Sequence, residues 1–266
     1  MKVDFHIHSD LSDGKFSYYC LEKLIKANQI KHFSITDHDI YDHMLDAFFM
    51  SDTYKYYPGM EISAKNYTNN RKVHFLTYNF NKNSPILKEY SEYFIDLRNK
   101  NIEEILKNLI DSGYKFDQDK LETRKSRGLA IYKQHVMVEL IKAGYDHQIH
   151  GELYNKLKQE GIFTDIKYLS WIEAFKLIKD IDGLVILAHP GLYDSWELLE
   201  DLKEIGLDGI EAFHSKHNDE ETQKALDIAQ KNNMLITGGS DYHGWKAEQP
   251  GIDIEIKYVK DFLKNI

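Results

Sequence analysis

The sequence predicts an α/β protein with largely parallel strands, interrupted in its middle by a helical insert. Two observations carry that expectation. Short apolar stretches that end in polar clusters recur at residues 2–8, 32–38, 57–63, 72–80, 183–190, 208–214 and 234–241, and helix-like stretches with apolar spacings of three and four lie between most of them. Strand-then-helix repetition favours parallel strands flanked by helices. From about Ser84 to Leu169 the rhythm stops and the pattern becomes helical. The expected organisation is a strand-bearing part over 1–83, a helical insert domain over 84–169, and a second strand-bearing part over 170–266.

In the first strand Val3, Phe5 and Ile7 alternate with Asp4, His6 and His8. Side chains two apart on a strand share a face, so the two imidazoles can grip one ion. Asp13-Gly14 then makes a turn that can bring an oxygen ligand to the same place. Tyr18 to Asn28 reads as a helix in which Cys20 occupies an apolar position, as a small core residue without chemistry. As the single cysteine it makes no internal disulfide.

Phe33 to Thr36 forms the next strand and runs into Asp37-His38-Asp39. The tyrosines of 54–57 are expected to pack around a strand start, ahead of Glu61 and of His74 within Val73 to Tyr78. The insert carries helices over Pro85 to Ser112 and Ile131 to Ala143. Beyond it, Leu184 to Ala188 leads into His189, a further strand leads to His214 and His217, and Ile236 to Ser240 leads into Asp241-Tyr242-His243. His32, His43, His147 and His150 fall beside turns or helix ends and read as surface residues.

Length and composition set bounds. With 266 residues, 42% hydrophobic and 29% charged, the chain suits one large domain or a domain with an insert. A net charge of −9 without a basic block argues against attraction to long nucleic acid. No apolar run approaches a membrane span, and the first strand begins at residue 2 without a leader pattern, so a cytoplasmic protein with no membrane partner is expected.

Nearly every strand-like stretch thus delivers a potential ligand at or near its end, and in a parallel barrel those ends meet on one face. Six imidazoles (His6, His8, His38, His74, His189, His243) and three carboxylates (Asp13, Glu61, Asp241) exceed what one ion needs. Two or three divalent ions are expected, Mn, Zn or Fe ahead of Ca, with Mg as a further option. Three such ions against three carboxylates leave about +3, which a hydroxide and a phosphate dianion would match. Phosphate ester hydrolysis fits that balance best.

These segments resemble the polymerase-and-histidinol-phosphatase (PHP) family of metal-dependent phosphoesterases. The matching stretches are Asp4-Phe-His-Ile-His-Ser, Ser12-Asp-Gly, Ile35-Thr-Asp-His-Asp, Gly59-Met-Glu-Ile-Ser, Lys72-Val-His-Phe-Leu, Ala188-His-Pro-Gly, Gly209-Ile-Glu-Ala and Gly238-Gly-Ser-Asp-Tyr-His-Gly, in the family's order. The resemblance implies a distorted (β/α)7 TIM-like barrel with a trinuclear site. By its pattern His6, His8, Glu61 and Asp241 hold one ion. Glu61 bridges to a second held by His74 and His189, and Asp13, His38 and His243 hold a third.

Within the family, the insert is similar to that of phosphatases acting on AMP or 3′,5′-bisphosphonucleotides and of short-oligoribonucleotide exonucleases. Lys133-Gln-His135 stands where that insert motif usually reads Arg-Pro-His, and a lysine keeps the charge but loses the two-pronged grip on phosphate. Lys133, His135, Arg98, Arg124 and Arg127 are the expected substrate contacts. Asp37, beside His38, is expected to orient that imidazole or act on the leaving group. His217 matches a Ser-His element of the nucleotide-phosphatase branch and is expected to protonate the leaving oxygen. The expected activity is therefore hydrolysis of a small phosphorylated substrate, foremost a nucleotide, with histidinol phosphate or short RNA as the nearest rivals and a non-catalytic metal-binding module as the rival of another class.

Overall fold

In the computed structural model, which describes residues 1–266, the apolar stretches form ten strands. In chain order they are β1 (Lys2–Ile7), β2 (His32–Ile35), β3 (Lys55–Tyr56), β4 (Gly59–Asn66), β5 (Arg71–Tyr78), β6 (Leu169–Ser170), β7 (Leu184–Leu187), β8 (Gly209–His214), β9 (Leu235–Gly239) and β10 (Ile252–Asp253). One sheet has the order β10-β1-β2-β3 and the other β6-β4-β5-β7-β8-β9.

Most neighbours are parallel, as expected, but β5 runs antiparallel to both β4 and β7. Only residues 67–70 separate β4 from β5, too few for the crossover a parallel pair requires, so the chain turns back as a hairpin. His74 therefore reaches the site from the middle of a reversed strand.

The two sheets approach each other at residues that matter. On one side Asp241 N donates to His6 O and His8 N to Tyr242 O, both at 2.9 Å. On the other Asp39 N donates to Glu61 O at 2.9 Å and Glu61 N to Asp37 O at 3.2 Å. The pairing consists of two ladders joined by isolated bridges, Ile7 with Tyr242 and His38 with Glu61. Gly239 permits the first approach, since a Cβ there would collide with the Cβ and backbone of His6.

Helices cover the outer faces. On the N-terminal side are α1 (Tyr18–Ala27) and the short α2 (Met44–Phe48). Four helices follow within 84–169: α3 (Pro85–Asp111), α4 (Asp119–Ser126), α5 (Lys133–Lys142) and α6 (Glu152–Gln159). Then come α7 (Trp171–Asp180), α8 (Pro190–Tyr193), α9 (Leu199–Glu204) and α10 (Asp219–Lys231), with α11 (Ile256–Val259) and α12 (Phe262–Asn265) closing the chain. The α7 start is fixed by a capping box between Ser170 and Glu173.

The largest core packs Met60, Ile62, Phe75, Val185, Leu187 and Ile210 against these helices. Residues 84–169 carry a second core around Ile102, Ile105, Leu109, Val136, Met137, Leu140 and Leu157. No helix is long and apolar enough to cross a membrane. One expectation is corrected: Cys20 is exposed, because α1 buries Leu21 and Ile25 and a neighbour in a helix is turned about 100° away.

Candidate metal centre

Glu61, buried at 1% exposure near the start of β4, is the hub of the ligand set. Its Oε1 lies 2.7 Å from His74 Nδ1 and 3.0 Å from His189 Nε2. Its Oε2 lies 3.0 Å from His38 Nδ1 and 3.3 Å from Nε2 of both His6 and His8. Asp241 Oδ1 sits 3.6 Å from His6 Nε2 and 3.3 Å from His8 Nε2. A second grouping surrounds Asp13, whose Oδ1 is 3.1 Å from His243 Nε2, 3.7 Å from His8 Nδ1 and 4.0 Å from His38 Nε2. The structure brings all nine candidate ligands into one continuous cluster.

The backbone is bent to achieve this. His189 and Asp241 adopt positive φ of 26° and 56°, as does Asp39 at 60°. Such conformations cost free energy for residues other than glycine and persist where surrounding contacts hold them. The backbone N–H of His189 is held by Glu211 at 2.8 Å, and Asp39 accepts from Ser63 N at 2.8 Å and from the Tyr90 hydroxyl at 2.5 Å.

The donor set fits divalent cations. Buried atoms without any hydrogen-bond partner include His6 Nε2, both ring nitrogens of His8, Asp13 Oδ1, Glu61 Oε2 and His189 Nδ1. Orphaned buried atoms of this kind are rare in proteins, and those of His6, His8, Asp13 and Glu61 lie within crowded groups of His and carboxylate side chains able to hold an ion. Burial by itself would neutralise Glu61, Asp13 and Asp241, yet the imidazoles around them hold all three well below the usual carboxylate range. Burial holds His74 down at about 4, so it stays neutral and fit to coordinate. Burial also opposes protonation of His8, but Asp241 and Glu61 outweigh it and raise it to about 10. The buried carboxylates thus demand positive charge, which protons on His6, His8 and His243 supply in the protein without ions.

Two further residues complete the cluster: Glu211, for which the sequence suggests no role, and His214, which follows a strand toward the same face. Glu211 accepts the His6 Nδ1 proton at 3.1 Å, which leaves Nε2 as the nitrogen that would coordinate an ion. His214 places Nε2, buried and unpartnered, 3.6 Å from Asp241 Oδ2. Strict alternation cannot turn residues three apart to one side, but the register of β8 on β9 shifts between Glu211 and Phe213, and that irregularity brings both to the site.

The cluster opens on a cleft of about 280 Å³, lined from residues 84–169 by Arg98, Tyr132, Lys133, Gln134 and Tyr154 and from the C-terminal part of the chain by Lys216, Trp245 and Lys246. Several expected roles change here. Asp37 is buried, and its carboxylate accepts from Ser9 N at 2.8 Å, Ser9 Oγ at 2.6 Å and Ser12 Oγ at 2.5 Å. It fastens the turn that carries Asp13 and does not face the cleft as a catalytic group. His217 donates from Nδ1 to Ala212 O at 3.0 Å and accepts the Gly191 N–H on Nε2 at 3.2 Å, so neither nitrogen is free for a leaving oxygen.

Asp4 is fully buried and ties β1 to Ser240. Arg98 lines the cleft but ion-pairs with Asp39 and stacks 4.5 Å over Tyr132. Lys133 also lines it, held to Asp165 at 2.5 Å. His135 lies outside the lining: its Nδ1 accepts the Tyr132 N–H at 3.0 Å, and burial holds it down at about 3. Arg124 directs its donors to the carbonyls of Asp10, Leu11, Ser12 and Ala130, and Arg127 is exposed away from the cleft. Neither contacts the substrate space. His150, expected only as a surface residue, does line it.

No family model matches the chain. It is 30% identical over 260 residues to the phosphoribosyl 1,2-cyclic phosphate 1,2-diphosphodiesterase of Eggerthella lenta, a match covering 96% of this chain and 99% of that one. A 5′-3′ exoribonuclease of Haemophilus influenzae is 26% identical over 259 residues, covering 92% of each. Among solved structures, a protein from Bifidobacterium adolescentis described as a metal-dependent phosphoesterase superposes with a TM-score of 0.83 at 22% identity, over 98% of this chain and 95% of that one. That likeness shows a shared fold.

Proposed function

The chain belongs to the PHP family of metal-dependent phosphoesterases, and from that premise we propose that its substrate is a small ribose phosphate ester, foremost a phosphoribosyl cyclic phosphate. The carrying observation is the ring of orphaned imidazole and carboxylate atoms around Glu61 and Asp13, opening on a cleft flanked by Lys72, Lys133, Lys216 and Lys246. A ligand set rich in charge at the floor and lysines on the walls suits a substrate with one phosphate over the cluster and another anionic group beside it. The full-length match to a phosphodiesterase of phosphoribosyl 1,2-cyclic phosphate supports the cyclic ester.

Two to three divalent ions, Mn, Zn or Fe before Mg, held by the nine ligands would supply Lewis acidity and lower the pKa of water at the site. The protein's own part is positional. Glu61 turns one oxygen to each of two imidazole groups. Glu211 keeps the His6 proton on Nδ1, burial keeps His74 neutral, and Lys216 stands 3.7 Å from Asp241 Oδ2 at the cleft mouth, where it can draw in an anion. Residues 84–169 serve as the substrate-binding insert, and the bridges between the two ladders favour the seven-stranded barrel of the family.

A second reading, a nucleotide such as AMP or a 3′,5′-bisphosphonucleotide, or a short oligoribonucleotide, is favoured by Tyr132, Tyr154, Tyr168 and Trp245 along the same cleft, since aromatic faces stack bases. Turnover compared side by side separates the two. Ring opening of 5-phosphoribosyl 1,2-cyclic phosphate followed by phosphorus NMR is expected to give the highest kcat/KM. Faster phosphate release from nucleotides, or shortening of an oligonucleotide, would transfer the assignment to the second reading. Inertness toward all of them with Mn, Zn and Fe would overturn both.

A further inference from the structure

The insert's hydrogen bonds to the cluster converge on one part of it. Gln134 Nε2 donates to Asp13 Oδ2 at 2.9 Å. The Tyr132 hydroxyl donates to the His38 carbonyl at 3.0 Å, and Arg124 holds the carbonyls of residues 10–12 just before Asp13. No hydrogen bond from residues 84–169 reaches Glu61, His74 or His189, whose partners come from the strands, from the segments just after β2 and β7, and from α8.

The consequence lies in the two oxygens of Asp13. One accepts from Gln134, while the other is buried, unpartnered and directed at His243, His8 and His38. We propose that Gln134 is a positioning residue for a cation held by Asp13, His38 and His243, and that the insert thereby sets the affinity of that one ion and leaves the ions around Glu61 untouched. This rests on the reading of Asp13, His38 and His243 as a separate ion site.

Hydrogen bonds to ligating carboxylates fix their orientation, and removing one lowers metal affinity about tenfold to a hundredfold. The test uses the full chain reconstituted with Mn, with ion stoichiometry and stepwise affinities read by elemental analysis and competition with a chelator. Gln134→Leu, nearly isosteric, is expected to weaken one ion by about tenfold to a hundredfold and leave the others and the melting curve unchanged. Asp13→Asn is expected to lose that same ion, and adding Gln134→Leu to it should change the remaining affinities no further. If Asp13→Asn costs no ion, the separate site does not exist and the inference falls with it. If Asp13→Asn removes one ion while Gln134→Leu leaves every affinity intact, or weakens the remaining ions equally in both backgrounds, the inference alone is overturned.

Discussion

The candidate ligands around Glu61 and those around Asp13 differ in what holds them. Glu61 and His189 lie on or beside strands, with side chains only 1–2% exposed, and Glu211 supports His6 and His189 from beneath. The Asp13 group sits on turns, its His243 side chain is 23% exposed, and its bracing comes from α4, α5, the segment just before α5, and the Trp245 indole on the Asp13 carbonyl at 2.7 Å. Shared chemistry thus rests on two kinds of scaffold. The inner group depends on sheet geometry, which tolerates little change, and the outer one depends on a surface clasp that can be retuned one residue at a time.

The largest expected break in that comparison is Glu61→Gln. Replacing the hub carboxylate by a neutral amide should release most of the bound metal and lower turnover by on the order of a thousandfold. Asp13→Asn, in the outer group, should cost roughly a tenth of that. Elemental analysis beside a phosphorus NMR assay reads both, and equal losses of metal and rate in the two variants would erase the distinction.

Proton release sharpens the comparison next. His8 stands at about 10 in the ion-free protein because Asp241 and Glu61 outweigh its burial, whereas burial keeps His74 at about 4. A ligating imidazole must be neutral, so an ion binding His8 expels a proton anywhere below about pH 10 and one binding His74 expels none above about pH 4. Apparent metal affinity should accordingly rise with pH between 6 and 9, and calorimetry in buffers of different ionisation enthalpy should detect at least about one proton released per chain. Binding heats independent of buffer would contradict the arrangement around His8.

The smallest effect concerns the clasp. Arg124→Ala strips charged hydrogen bonds from the carbonyls of residues 10–12 and should lower stability by about 2–3 kcal/mol in denaturant unfolding, while the exposed Arg127→Ala should change it by less than about 0.5 kcal/mol. Matching losses would show that the clasp bears no load.

The clustering of the nine candidate ligands was legible because strands place alternate residues on one face and deliver their ends to one side, so His and Asp at those ends announce themselves. Glu211 was not, although it lies inside a quoted motif, because a register shift in β8 breaks the alternation, whereas His214 was placed by the strand that leads to it. Asp37, His217, His135 and Arg124 had the right chemistry in the right stretches, but partners distant in sequence, or backbone groups, occupy them. Nothing in the order of residues announces that Ser9 and Ser12 will saturate Asp37, or that Arg124 will close on carbonyls more than a hundred positions away. Reversal of β5 was readable only from the shortness of its preceding turn.

Helix α3 has a consequence for unfolding. Its 27 residues extend about 40 Å, with Leu87, Tyr90 and Phe94 in the larger core and Ile102, Ile105 and Leu109 in the second. Neither core can melt without stripping one half of that rod. Hydrogen exchange along α3 should therefore proceed as one cooperative unit, with the slowest amides of both cores opening together and no hinge at which the insert detaches.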